Sequence, residues 1–107
     1  MVRPESESGS KFPDIDRIVH EPARLAILSV LGGCGVADFL FLENATGLSR
    51  GNLSVQLTKL EEAGLIKIRK EIVGKKTRTT ATLTAKGARD ISAYWKAIDK
   101  LRADFSI

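Results

Sequence analysis

In "PARLAILSVLGG", Leu25, Ile27, Leu28 and Leu31 form a wide apolar stripe at helical spacing, and Gly32 and Gly33 end it. Pro22 opens this helix and disfavours helical backbone at Glu21 just before it. Upstream, "FPDIDRIVH" is expected to form a short helix, with Pro13 tolerated in its first turn. Downstream, "VADFLFLENATG" reads as a third helix, with Phe39, Leu40 and Leu42 as its apolar positions and Gly47 closing it. A fourth helix begins at Ser49, a good N-cap. Its Leu53, Leu57 and Leu60 share one face until Gly64 ends it.

The period then changes from helix to strand. In "LIKIRKEIV", Ile66, Ile68 and Ile72 have one parity and Lys67, Arg69 and Glu71 the other, so the two sets face opposite sides of a strand. "GKKTR" is a turn, and "TTATLT" returns as a second strand rich in β-branched residues. Thr84 then caps a long last helix, "AKGARDISAYWKAIDKLRADF". No internal repeat interrupts the order of four helices, strand, turn, strand and helix. The fold class is α+β and mostly α: a winged helix-turn-helix with a two-stranded antiparallel wing and a long C-terminal helix.

A length of 107 residues suits one core, not two. Residues 1–11 are polar and low in hydrophobicity, which marks a disordered arm, and 12–107 form a single winged-helix domain. No apolar run approaches the ~20 residues of a membrane span, and the start, "MVRPESESGSKF", has no apolar signal segment. With one cysteine, Cys34, an internal disulfide is impossible, which suits a reducing cytoplasm.

Charge sharpens this reading. The net charge of +4 is unevenly spread: residues 1–49 hold 4 Lys/Arg against 7 Asp/Glu, whereas residues 50–86 hold 9 against 3. A basic block of this kind is the footprint of a polyanion binder, although basic stretches are also ordinary solvated surface.

The helix from Ser49 supplies the candidate chemistry. With the leucines inward, Asn52, Val55, Thr58 and Lys59 turn outward, and Arg50, Ser54 and Gln56 lie on the flanks. Asn and Gln pair bidentately with adenine, Arg pairs with guanine, and Val or Thr touches a thymine methyl. These types cluster in the first two turns, the part of a helix that enters the major groove. The bland reading is that polar residues cover the helix's wet side. The hairpin shifts the balance: Lys75, Lys76 and Arg78 flank a turn at Gly74, where they could bind phosphates or enter a minor groove.

"HEPARLAILSVL", "LSRGNLSVQLTKLEEAGLIKI" and "GKKTRTTATLTAKGA" together resemble the small ArsR/MarR-type winged-helix transcriptional regulators of bacteria and archaea, over roughly residues 15–100. The resemblance implies a homodimer on a pseudo-palindromic operator in double-stranded DNA. It assigns DNA contacts to Ser49, Arg50, Asn52, Ser54, Gln56 and Lys59 on the helix and to Lys75, Lys76 and Arg78 on the wing. The function expected is that of a sequence-specific regulator, a repressor; the alternative is a winged-helix module that docks a protein. In the last helix, Ile91, Tyr94, Trp95, Ile98, Leu101 and Phe105 recur at spacings of three and four, the pattern of a dimer seam.

Other chemistries find little support. Cys34 and His20 occur once each, without a Cys-x-Cys or His/Asp cluster, so metal sensing is rejected and no cofactor is expected. Cys34, in "GGCGV", is read as a small, partly buried side chain in a loop, with nothing basic beside it to activate the thiol. His20 marks a helix boundary, and no nucleophile–base–orienter set exists for an enzyme. Tyr94–Trp95 is read as packing rather than a stacking site for an aromatic effector. Any small-molecule effector belongs at the dimer seam or between the last helix and the core.

Overall fold

The computed structural model describes residues 15–105, so the expected disordered arm and Pro13 lie outside the described residues. Seven elements follow in order: α1 (Pro22–Cys34), β1 (Val36–Asp38), α2 (Phe39–Thr46), α3 (Arg50–Glu62), β2 (Ile66–Val73), β3 (Lys76–Leu83) and α4 (Ala85–Phe105). Four helices and a three-stranded sheet replace the expected five helices and two strands.

The first correction is before α1. Residues 17–19 form a turn, not part of a helix. Asp16 Oδ1 accepts from the backbone N–H of Ile18 and Val19, an arrangement that diverts the chain from helical bonding. Glu21 is the N-cap of α1, its carboxylate accepting from Arg24 N at 2.8 Å. The second correction is β1. Gly35 ends α1 with its N–H on Leu31 O, and the next three residues are extended. They pair antiparallel with β3, Ala37 opposite Ala81, while Asp38 caps α2 through Phe41 N at 2.7 Å. Starting α2 at Phe39 changes its inward face: Leu42 is buried, Phe39 half-buried, and Leu40 is 60% exposed.

The sheet order is β1-β3-β2, which leaves β2 with an unpaired edge. Glu61 Oε2, in the last turn of α3, accepts from Ile68 N on β2 at 2.8 Å. This bond satisfies a strand donor and ties the end of α3 to the base of the hairpin. Ile27, Leu28, Leu31, Leu42, Leu53, Leu60, Leu65 and Ile66 are fully buried in one core beneath α1, α2, α3 and the sheet.

Thr84 caps α4 as its sequence position implied, with Oγ1 accepting from Gly87 N at 3.0 Å and donating to Gly64 O at 2.7 Å. Gly87 is the point of closest approach: a Cβ there would lie 2.1 Å from the backbone oxygen of Leu65, so only glycine fits. Ile91 and Tyr94 continue this contact into the core. Beyond them α4 has no buried residue. Among the described residues no helix is long and apolar enough to cross a membrane.

Candidate nucleic-acid interface

The start of α3 is built by its cap. Ser49 Oγ accepts from Asn52 N at 3.2 Å, which closes the first turn. Leu53, Leu57 and Leu60 anchor one side in the core. Arg50, Asn52, Ser54, Val55, Thr58 and Lys59 are exposed on the remainder. Val55 leaves 51% of an apolar residue open to water among polar neighbours. The outward set expected from the helical wheel is therefore where the wheel put it.

Gln56 is the exception. It is 9% exposed, and both ends of its carboxamide are bonded inside the protein: Oε1 accepts from Arg24 Nη1 and Nε2 donates to Asn52 Oδ1, each at 3.0 Å. At 100° per residue Gln56 lies only about 70° from the centre of the leucine stripe, against about 110° for Asn52. That proximity lets α1 cover it. The expectation that Gln56 pairs with adenine fails, because its hydrogen-bonding atoms do not face outward.

The wing is a two-residue hairpin, with Val73 opposite Lys76 and Gly74–Lys75 between them. Gly74 has φ +66°, the left-handed conformation that a tight strand reversal requires at its first turn position. Lys75 occupies the turn itself. From Lys70 to Arg78 every residue is exposed, Ile72 by 78%, because the hairpin runs past the end of the core. Parity alone had placed Ile72 with Ile66 and Ile68 on the inner face, yet only those two have a core to meet.

Two arginines connect helix and wing. Arg50 lies 3.6 Å from Glu43 on α2, and Arg78 lies 3.6 Å from Asp38, whose other oxygen caps α2. Both guanidiniums stay more than half exposed, so each pair holds its arginine in place for at most about 1 kcal/mol. Arg50, Lys76 and Arg78 line one cleft of about 640 Å³ with Asp38, Phe39 and Thr79. Asp38, the N-cap of α2, was missed as an arginine partner in the sequence because it had been read as part of a helix rather than as its cap. Arg24 gives no local signal because its partner Gln56 stands 32 residues away, and Glu61 gives none because its bond to Ile68 N exists only once the base of the hairpin packs against α3.

The expected seam residues on α4 divide. Ile91 and Tyr94 belong to the protomer's own core, and Ile98 is half-buried against it. Trp95 is 43% exposed, Phe105 is exposed and Leu101 half-buried. Tyr94 also holds the turn before α1, its hydroxyl 2.8 Å from His20 Nδ1. Cys34 is the last residue of α1 rather than a loop residue. It is exposed rather than partly buried, its Sγ 3.2 Å from Val30 O. Among the described residues no three His, Cys, Asp or Glu side chains gather as metal ligands.

Known proteins share this arrangement. Protein MJ0432 of Methanocaldococcus jannaschii is 32% identical over 71 residues, covering 66% of this chain and 77% of that protein. The structure of a transcriptional regulator homologue from Pyrococcus horikoshii OT3 superposes with a TM-score of 0.79 at 24% identity, over 86% of this chain and 91% of that one. NadR in complex with 4-hydroxyphenylacetate gives a TM-score of 0.61 at 25% identity, over 83% and 63% of the two chains. Overoxidised AbfR bound to DNA gives 0.67 at 23% identity, over 74% and 57%. The family model for the winged helix DNA-binding domain matches residues 23–101, and the chain belongs to that family.

Proposed function

We propose that this protein is a sequence-specific transcriptional regulator of the ArsR/MarR type, binding a pseudo-palindromic operator as a homodimer and acting as a repressor. The observation that carries the reading is the union of two surfaces: the uncovered face of α3, with Asn52, Ser54, Val55 and Lys59, and a cationic hairpin that projects past the core beside it. An α-helix fits the major groove, where each base pair shows its own donor and acceptor pattern. Arg50, Lys76 and Arg78, gathered on one cleft, suit the adjoining phosphates, as does Lys75 at the tip. A chain of this fold is bound to DNA in the AbfR structure.

Dimerisation follows from α4. Along α4, Trp95 leaves apolar surface open beside the α1 groove, and Ile98 and Leu101 are only half-buried. A second copy packed there would bury that apolar surface and set two recognition helices about one DNA turn apart, on half-sites ~10 bp from centre to centre. Bound so, the dimer blocks access to a promoter without any further surface. A groove of about 470 Å³ between α1 and α4, lined by Ser29, Gly32, Ile91, Trp95 and Asp99, is the place where a small effector would bias the seam.

The test is binding of random and genome-selected duplexes across a salt series. The reading expects tight binding to random DNA at low salt that falls steeply as salt rises, by about 0.9 log units per log unit of salt for each phosphate neutralised. It also expects selected fragments that share a two-fold symmetric site. Failure to bind any duplex at low salt would favour a module that docks proteins.

A further inference from the structure

The chain of side chains that buries Gln56 has a direction. Arg24 Nε donates to Ile18 O at 2.7 Å, and its Nη1 donates to Gln56 Oε1 at 3.0 Å. Gln56 Nε2 then donates to Asn52 Oδ1 at 3.0 Å. A guanidinium has five N–H donors and no acceptor. Whichever end of the Gln56 amide meets Arg24 must therefore be the oxygen. That choice turns the Gln56 NH2 group toward Asn52, where it requires an acceptor. Asn52 in turn must place its oxygen against Gln56 and keep Nδ2 for the outside. Neither amide is free to flip, because the fixed polarity of Arg24 propagates through both.

Gln56 is 9% exposed, and reversing its amide would set its NH2 group against the guanidinium, donor against donor. Asn52 is exposed, and among the described residues its Nδ2 has no partner. The outer end of the relay is thus an N–H donor in the first turn of α3.

Resting on the reading of α3 as the helix that enters the groove, we propose that Asn52 acts on DNA as a hydrogen-bond donor, and that Gln56 and Arg24 are positioning residues that fix this polarity. A donor selects acceptors on the base edge: O6 or N7 of guanine, O4 of thymine, or N7 of adenine. It meets a like group at N4 of cytosine. The bidentate asparagine–adenine pair needs Oδ1 at the base edge as well as Nδ2, and here Oδ1 is turned inward to Gln56.

The experiment is selection from a library of random duplexes by the full chain and by two variants. Gln56→Glu still accepts from Arg24 but cannot donate. Asn52 then rotates to offer Nδ2 to the carboxylate and turns Oδ1 outward. The position of the half-site that faces Asn52, occupied with the wild type by a base that offers an acceptor, should shift about tenfold toward cytosine, whose N4 group only donates, with the other positions unchanged. A merely structural Gln56 would weaken binding to every sequence alike. If Gln56→Glu fails to fold by circular dichroism, Asn52→Asp decides, since one carboxylate oxygen accepts from Gln56 and the other faces out, giving the same shift. A variant that selects the wild-type base at every position overturns the relay while leaving DNA reading intact. A wild-type chain that enriches no sequence overturns both.

Discussion

The two regions proposed to meet DNA, α3 and the hairpin, both present exposed polar and basic side chains, yet they are attached to the protein in opposite ways. In α3 four of thirteen residues are buried, at positions that recur on every turn: Leu53, Gln56, Leu57 and Leu60. Both of its ends are pinned, by the Ser49 cap and by the bond from Ile68 N to Glu61. In the hairpin from Lys70 to Arg78 nothing is buried, and the two strands hold chiefly to each other. A surface that discriminates between bases must keep its groups within a fraction of an ångström of their partners. A surface that gathers phosphates gains by following a backbone whose path varies. In the proposed division of labour, rigidity therefore sits with the reader and freedom with the clamp.

The sharpest way to break the comparison is to loosen the reader from below. Leu53 is fully buried in the core one residue after Asn52. Leu53→Ala should cost 2–5 kcal/mol, about the range for a leucine truncated in a well-packed interior. Denaturant unfolding measures it directly. A loss under 1 kcal/mol would mean that α3 is no better anchored than the hairpin.

The second test compares what the two regions sense. Lys75→Ala with Lys76→Ala removes up to two phosphate contacts from each protomer of the proposed dimer. The plot of log K against log salt should become shallower by up to about 3–4 units, and operator and random DNA should weaken alike. Asn52→Ala should leave the slope intact and cost about 1 kcal/mol, the worth of one hydrogen bond, on the operator alone. If the lysine variant lost operator preference while Asn52→Ala kept it, the roles of reader and clamp would be exchanged.

The same contrast explains what the sequence could and could not disclose. The leucines of α3 and its Ser49 cap are local, periodic signals, and the structure places them as the spacing implied. A turn at Gly74 was legible too, but "GKKTR" was read as the turn where only Gly74 and Lys75 lie between the strands and Lys76–Arg78 already belong to β3. β1 was not legible: three residues have no period to detect, and Val36–Asp38 becomes a strand only because β3 lies beside it. Asp38 was misread for the same reason, since a cap is recognised only when the helix boundary is. Gln56 was misread because its partner Arg24 stands 32 residues away, and only the packing of α1 against α3 brings them together. On α4 the spacing of three and four identified an apolar stripe without saying how far the core reaches along it. The stripe serves two surfaces: core as far as Tyr94, with Ile98 half-buried against it, and more open positions at Trp95 and past Ile98.

The smallest effect is expected at the wing tip, and it tests the other half of the comparison. Ile72 has the parity of Ile66 and Ile68, so the alternation of the strand alone would make it a core residue worth about 2 kcal/mol or more on truncation. It is instead 78% exposed, opposite Thr77, one residue pair from the turn. Ile72→Thr keeps a β-branched side chain, which preserves the strand preference of that position, and removes apolar surface already in water. Stability should change by less than about 0.5 kcal/mol. Amide exchange should show the hairpin near Ile72 opening far more readily than the backbone at Leu57, because few buried contacts oppose it. On DNA the variant should lose less than the double lysine variant does, since a side chain that makes no charged contact adds nothing to the salt dependence. A destabilisation near 2 kcal/mol would place the tip of the wing against another surface, and the freedom assigned to the clamp would have to be given up.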